Sequence, residues 1–377
     1  MASIYFDNAA SAPLLDEVAE LMVKSSQEFI GNPSSTHKHG RICRAAIERA
    51  RKSIAQNLKA SIGEIFFTSG GTESNNSILN CAVDQLGVTH IISSPIEHPS
   101  VLNPLTFIEK YKKVNVQYVA VDGKGKIDLN DLQQRLKSTE GKVLVSIMHA
   151  NNETGAINPI AEIGQICKEY QALYHTDAVQ TVGHLNIDVS ELNISFLSAS
   201  GHKFHGPKGI GFMYVNSDNI IEPFIRGGSQ ERNVRAGTEN ITGILGMAHA
   251  LDYCIRHMEE KRNHVVALRQ YFIDQLHREL PQVSILSPES SENGLYTVLN
   301  ILIPHSNKAE LLLMNLDIAG ISASGGSACS SGAEKPSHVI ANVLGNQNTD
   351  KSVRFSFSFM NQQSEVDYAI EVLKKSI

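Results

Sequence analysis

Apolar, β-rich runs alternate with helix-period segments over much of the chain. "EIFFTSGGT" (64–72) reads as a strand, and "ESNNSILNCAVDQL" after it places apolar residues at helical steps. "HIISSPIEH" (90–98) is a second strand, and "KVLVSIMHANNETG" (142–155) a third, followed by a helix near 160–170. "ALYHTDAVQ" (172–180), "ISFLSASGHK" (194–203) and "IGFMYVN" (210–216) continue the series. Strands of unbroken apolar character between helices predict an α/β fold, with a mostly parallel sheet covered on both faces.

The pattern then changes. From 243 to 280 it is long and helical, with no proline until Pro281, as in helices that bridge two domains. "YTVLNILI" (296–303) and "SVRFSFSF" (352–359) read as strands, with helices near 308–319, 336–344 and from about 364. This predicts a smaller α+β C-terminal domain. "SPESSEN" (287–293) and "GNQNTDKS" (345–352) read as surface loops.

Composition limits the function. The 377 residues are 42% hydrophobic and 19% charged, with a net charge of −6. Such a chain buries a sizeable core, and its mild acidity argues against nucleic acid or an anionic membrane as partner. No apolar run reaches the roughly 20 residues of a membrane helix. "MASIYFDNAA" shows no secretory signal. The cysteines, Cys43, Cys81, Cys167, Cys254 and Cys329, are odd in number and form no CxxC pair. That fits a reducing cytoplasm and offers no metal-ligand spacing, so no metal is expected.

Ligands of open α/β sheets bind beyond the carboxyl ends of the strands. There the sequence places Gly70-Gly71-Thr72, His98, Asn151-Asn152-Glu153, Asp177 with Gln180, and Ser200-Gly201-His202-Lys203. Each has an ordinary reading as tight turn, helix cap, packed histidine or surface lysine. Together they supply what a cofactor with a phosphate, an aromatic ring and an aldehyde requires. Thr72, Ser200 and His202, with a glycine-led helix N-terminus, suit the phosphate. Asp177 suits a protonated ring nitrogen, His98 a ring face, and Lys203 an aldehyde. Lys208, in the Gly/Pro turn "GPKGIG", is the rival lysine.

In family order, the segments "YFDNAASAP", "GNPSSTHKHG", "FTSGGTESNN", "IEHPSV", "SIMHANNETG", "YHTDAVQTVG", "SGHKFHGPKGIG", "RAGTEN" and "GSACSSG" resemble those of the cysteine desulfurases. These are class V aminotransferases, a family of fold-type I pyridoxal phosphate enzymes. The resemblance implies a seven-stranded large domain over residues 14–255. It implies a small domain formed by residues 1–13 and 256–377, carrying a cysteine loop at 322–334.

By matching position, Lys203 would be the Schiff-base lysine, Asp177 the partner of the pyridine nitrogen and Gln180 that of the ring oxygen. His98 would stack on the ring and move protons, and Asn152 would touch both cofactor and substrate. Gly71, Thr72, Ser200 and His202 would hold the phosphate. Thr238 would reach the phosphate of the other subunit in a homodimer. Arg354 would hold the substrate carboxylate, and Cys329 would be the nucleophile. The implied reaction converts L-cysteine to L-alanine and leaves a persulfide on Cys329. A sulfur-acceptor protein or small thiol would collect that sulfur, as in iron–sulfur cluster assembly. Another enzyme of the class, an aminotransferase or selenocysteine lyase, would keep Lys203 and Asp177 without needing Cys329. The run after Arg354 departs from the family, with Ser358 and Phe359 where a glycine and a basic residue are usual.

Cys329 lies in "SASGGSACSSGAE", the most glycine- and serine-rich stretch of the chain. A nucleophile that attacks inside a pocket and then delivers sulfur outside has to travel, and Gly325, Gly326 and Gly332 leave the backbone free to do so. The loop is expected to be mobile and Cys329 exposed. The other four cysteines fall on helix-period segments and are expected to be buried.

Overall fold

The computed structural model describes residues 3–290, 293–325, 337–345 and 348–377. The chain opens with strand β1 (Ile4–Tyr5) and helices α1 (Asp16–Glu28) and α2 (Lys38–Leu58). An α/β series follows: β2 (Ile65–Thr68), α3 (Gly71–Asp84), β3 (His90–Ser93), α4 (Pro99–Lys112), β4 (Asn115–Tyr118) and α5 (Leu129–Ser138). It continues with β5 (Val143–Ser146), α6 (Ile160–Glu169), β6 (Leu173–Asp177), β7 (Phe196–Ser200) and β8 (Gly211–Val215).

Strands β2 to β8 form one seven-stranded sheet in the order β2-β8-β7-β6-β5-β3-β4. β8 runs antiparallel to its neighbours β2 and β7, and the other pairings are parallel. Both faces are buried, as the unbroken apolar runs require. The pleat of β2 shows how. Ile65 and Phe67 point into a core with α2, α5, α6 and α7 (Ile241–Arg256), while Phe66 points into a second core with α3 and α4. β4 is the strand that the apolar pattern does not reveal. It lies at the sheet edge, half exposed, and "NVQY" carries no apolar run.

After α7 come α8 (Met258–Glu279), β9 (Ser284–Ile285), β10 (Val298–Ile303), α9 (Asn307–Glu310) and α10 (Leu312–Ile318). The chain closes with β11 (Ile321–Ser322), β12 (Ser324–Gly325), α11 (His338–Leu344), β13 (Lys351–Ser356) and α12 (Gln363–Ser376). A four-stranded antiparallel sheet, in the order β12-β13-β10-β9, packs against α8, α10 and α12. Phe6, Phe272, Phe355 and Phe357 form the aromatic centre of that core. Phe6 comes from the N-terminus, where β1 pairs in parallel with β11.

The long helical run of 243–280 is two helices, with the turn at His257. Apolar residues of α7 enter the large sheet's core, and those of α8 enter the aromatic core. The break redirects the chain between the two cores, a change of direction that apolar spacing alone does not register. The run near 308–319 is likewise split, at Leu311, and the last strand starts at Lys351, inside the stretch read as a loop.

Cys43, Cys81, Cys167 and Cys254 are buried free thiols, as expected. Cys329 and the expectation that its loop is mobile lie outside the described residues.

Candidate active site

A cavity of about 640 Å³ opens where the carboxyl ends of the large sheet meet the N-terminal segment and β13. Gly71, Thr72, His98, Asn152, Asp177, Gln180, Ser200, His202, Lys203 and Arg354 all line it. They come from separate stretches of sequence, and the sheet's topology brings them together. Lys208 also lines it, at an exposed turn. Thr238 does not; it is exposed, outside the cavity.

The anion end of the cavity is built by β2 and α3. Gly70 caps α3 without a side-chain hydrogen bond, and its φ of +150° favours glycine. A Cβ on Gly71 would sit 2.6 Å from Cγ2 of Val179, so that backbone is bare by steric necessity. The first N–H groups of α3 are left for an anion, with Ser200 beside Gly70 and Gly71. Glu73 lies in this first turn. Burial raises its pKa, but Arg235, 2.9 Å away, and the N–H of Ser69 hold it below the ordinary carboxylate range. The Arg235 charge offsets its negative charge. His202 faces the same region. Burial, then the charges of Lys203 and Lys208, push its pKa down to about 4, so near neutral pH it is an uncharged hydrogen-bonding group.

Asp177 ends β6. Its Oδ2 accepts from Asn75 Nδ2 at 2.7 Å and its Oδ1 from the N–H of Val179 at 3.0 Å. The carboxylate is therefore held from both sides at the floor of the cavity. The other Asn75 N–H donates to Ser100 Oγ at 2.9 Å. That hydroxyl lies 2.7 Å from His98 Nδ1, which also accepts the backbone N–H of Ser100 at 3.1 Å. A ring nitrogen that accepts a backbone N–H carries no proton, so neutral His98 carries its proton on Nε2. Burial lowers the pKa of His98, the Asp177 charge opposing it, and this favours the neutral ring.

Lys203 follows β7 on a short 3₁₀ turn, Gly201–Lys203. Its Nζ donates to the carbonyls of Ala9 at 2.6 Å and Ala10 at 2.8 Å. Gln180 Nε2 also donates to Ala9 O, at 3.0 Å. His184 Nε2 donates to the carbonyl of Lys203 at 3.0 Å, and Phe204 beside it is fully buried. Arg354, on β13, is 3% exposed. Its Nη2 bonds Asp7 Oδ1 at 2.7 Å and its Nη1 the carbonyl of Asn152 at 2.8 Å. Its Nε is buried with no partner among the described residues. Glu153, next to Asn152, is buried, which raises its carboxyl to about 7 against the pull of Arg354.

Sequence reasoning missed Asp7, Asn75, Ser100 and His338. Asp7 and Asn75 stand inside the quoted segments "YFDNAASAP" and "FTSGGTESNN", but nothing in their spacing marks a partner. His338, on α11, lines the cavity and donates from Nε2 to the carbonyl of Glu97 at 2.9 Å. No local pattern separates it from a packed histidine.

The donor set fits a group with an anionic phosphate, a basic ring nitrogen and an aldehyde. The bare helix N-terminus would take the first, Asp177 the second and the Lys203 amine the third. The class V aminotransferase family model matches residues 4–369.

The chain belongs to that family.

Within it the chain is similar to the cysteine desulfurases. It is 42% identical to cysteine desulfurase IscS of Dictyoglomus turgidum, over 99% of this chain and 94% of that protein. A solved structure titled NifS-like protein superposes with a TM-score of 0.90 at 34% identity, over 99% of both chains. A structure titled "SspA in complex with cysteine" does so with a TM-score of 0.78 at 33% identity, over 94% of this chain and 99% of that one. Class V enzymes of this kind depend on pyridoxal phosphate, which when bound supplies an electron sink for a carbanion beside the substrate amine.

Proposed function

We propose that this class V enzyme is a cysteine desulfurase that takes sulfur from L-cysteine onto Cys329. The observation that carries this reading is that Lys203, Asp177 and Arg354 line one cavity. An amine, a fixed carboxylate and a guanidinium in one space suit an amino acid held by its carboxylate on Arg354. Asp177 pairs with the ring nitrogen, Gln180 with the ring oxygen, and Gly71, Thr72, Ser200 and His202 hold the phosphate.

The tautomer of His98 divides the proton work. With Nδ1 occupied by Ser100 and the proton on Nε2, neutral His98 is a donor toward the cavity. Lys203 Nζ is then the base that takes the substrate's α proton. The Cys329 thiolate attacks the substrate sulfur, a sulfur–sulfur bond forms and the Cβ–S bond breaks. The carbon fragment keeps the electron pair and a proton and leaves as L-alanine. Balanced, L-cysteine and one enzyme thiol give L-alanine and one enzyme persulfide: the transferred sulfur is oxidised and the β carbon reduced.

We further propose that residues 14–255 form the cofactor-binding unit, and residues 1–13 with 256–377 the smaller one. The turn at His257 and the place of Phe6 in the aromatic core support this. Exposed Thr238 suits contact with a second copy in a homodimer. The unpaired buried thiols suit the cytoplasm, and a protein or small-thiol acceptor serving iron–sulfur cluster assembly suits the persulfide. No helix among the described residues is long and apolar enough to cross a membrane.

Incubation of the enzyme with L-cysteine, with alanine assay and mass spectrometry of Cys329, tests the reading. Stoichiometric alanine with one sulfur added at Cys329, both lost in Cys329→Ala, is expected. Alanine at the wild-type rate from Cys329→Ala sinks it.

A further inference from the structure

The proposed reaction leaves one proton without a carrier. L-Cysteine arrives with its thiol protonated near neutral pH, since a free cysteine thiol has a pKa of about 8.5. The enzyme thiolate and the substrate thiol give a persulfide anion and a methyl group. The proton that sulfur loses is therefore the one that the β carbon needs. Lys203 takes the α proton, and neutral His98 presents a donor to the cavity, because its Nδ1 already accepts the N–H of Ser100.

His338 supplies the missing acceptor. It is the first residue of α11, half-buried, and lines the same cavity as Lys203 and Arg354. Its Nε2 lies 2.9 Å from the carbonyl of Glu97. A carbonyl only accepts, so Nε2 carries the proton, and the neutral ring keeps a bare lone pair on Nδ1. Nδ1 has no hydrogen-bond partner among the described residues. The carboxylates that line the cavity already accept bonds: Asp177 from Asn75 and Val179, Glu73 from Arg235, and Glu153 from Ser337.

The ring is fixed from two sides. Ser337, just before it, donates to Glu153 Oε2 at 2.5 Å, and the carbonyl of Asn152, next to Glu153, accepts Arg354 Nη1 at 2.8 Å. On the other side, Glu97 directly precedes His98. His338 thus stands between the arginine that suits the substrate carboxylate and the histidine that faces the ring. One histidine offers a donor and the other an acceptor, and backbone atoms set both tautomers.

We propose that His338 is a catalytic base for the substrate's sulfur: Nδ1 takes the thiol proton as the sulfur–sulfur bond forms and returns it to the β carbon as the Cβ–S bond breaks. The inference rests on the proposed sulfur transfer from L-cysteine to Cys329. It deepens that reading by giving one proton its path.

The test compares wild type, His338→Gln and His338→Ala, each loaded with pyridoxal phosphate, on L-cysteine and on L-selenocysteine. A glutamine amide can still donate to the Glu97 carbonyl but cannot carry the proton, so it keeps the anchor and removes the base. Alanine from L-cysteine in a single turnover slows about a hundredfold or more in both variants. The first absorbance change of the cofactor on mixing keeps its rate. A selenol is a stronger acid than a thiol and ionises near neutral pH without help, so alanine from L-selenocysteine forms in both variants as in wild type.

Wild-type turnover of L-cysteine by His338→Gln overturns the proposal. So does a loss on both substrates in parallel, or a slowed absorbance step, since either assigns His338 a packing role. Wild-type enzyme run alongside separates the two readings. If its Cys329 gains no sulfur from L-cysteine, the proposed function falls and takes the role of His338 with it. If Cys329 gains sulfur and His338→Gln matches the wild-type rate, only the role of His338 falls.

Discussion

Asn75 Nδ2 lies 2.7 Å from Asp177 Oδ2, a buried hydrogen bond between residues 102 positions apart in sequence. Asn75 is fully buried in α3 and spends its second N–H on Ser100, so one amide orients the carboxylate and, through Ser100, the histidine. Removing it as Asn75→Ala weakens pyridoxal phosphate binding by about tenfold or more, the usual worth of a hydrogen bond to a charged group. Asn75→Asp does worse, because a second carboxylate beside Asp177 forces one of the pair to take up a proton. Titration of the apoenzyme with cofactor, followed by absorbance, gives the order: wild type, then Asn75→Ala, then Asn75→Asp.

The glycine at the head of α3 offers a compensating pair. In Gly71→Ala the new Cβ falls 2.6 Å from Cγ2 of Val179, and Val179 follows Asp177 by two residues. The clash moves the phosphate end and the ring end of the site together. Cofactor affinity drops in the single variant and returns toward wild type in Gly71→Ala/Val179→Ala, where the obstructing methyl is gone. The same titration measures both; a double variant as weak as the single contradicts the steric account.

Glu97 makes stability depend on pH. Burial pushes its carboxyl up to about 8, with the Asp177 charge adding to the shift, against an unfolded value near the ordinary carboxylate pKa of about 4.3. Between those values the folded chain keeps a proton that the unfolded chain has released. The contribution of Glu97 is therefore fully present at low pH and is lost as pH rises through about 8. Glu97→Gln stays neutral throughout. Its stability relative to wild type, from denaturant unfolding, rises as pH goes from about 5 to about 9.

Arg51 and Glu231 form a buried two-pronged ion pair, at 2.6 and 2.8 Å, that ties α2 to the segment before Arg235. Glu231 also accepts the N–H of Phe67 at 2.8 Å, just before the glycines of the anion end. Glu231→Ala leaves a guanidinium stranded in the interior and costs about 3–5 kcal/mol. Arg51→Met/Glu231→Gln removes both charges, keeps an acceptor for Phe67 and recovers most of the loss. Chemical denaturation of the three proteins decides it. Equal losses in single and double variants would show that packing, not the stranded charge, carries the cost.

The segment containing this pair illustrates where local sequence stops. Glu231, Arg232 and Asn233 all adopt positive φ, of 45°, 56° and 66°. None is glycine, so no residue type announces that geometry. The contacts of Glu231 with Arg51 and Phe67 hold the first of them in place.

The sequence by itself determined the α/β series, the burial of both sheet faces and the polar residues beyond the strands. Apolar spacing is a local property, and burial acts on it directly. It also supplied Gly70 and Gly71, because a bare helix start needs residues without a side chain. Only the tertiary structure decided that β4 completes the sheet, since an edge strand needs no apolar run. It alone turned the chain at His257, where the apolar faces of two helices seek different cores. It alone joined Asp7 to Arg354 and Asn75 to Asp177. Those bonds link residues that share no period and no neighbourhood in the chain. Their partners are chosen by the folded backbone, which brings distant polar atoms within 3 Å of each other and takes most of their surface out of water.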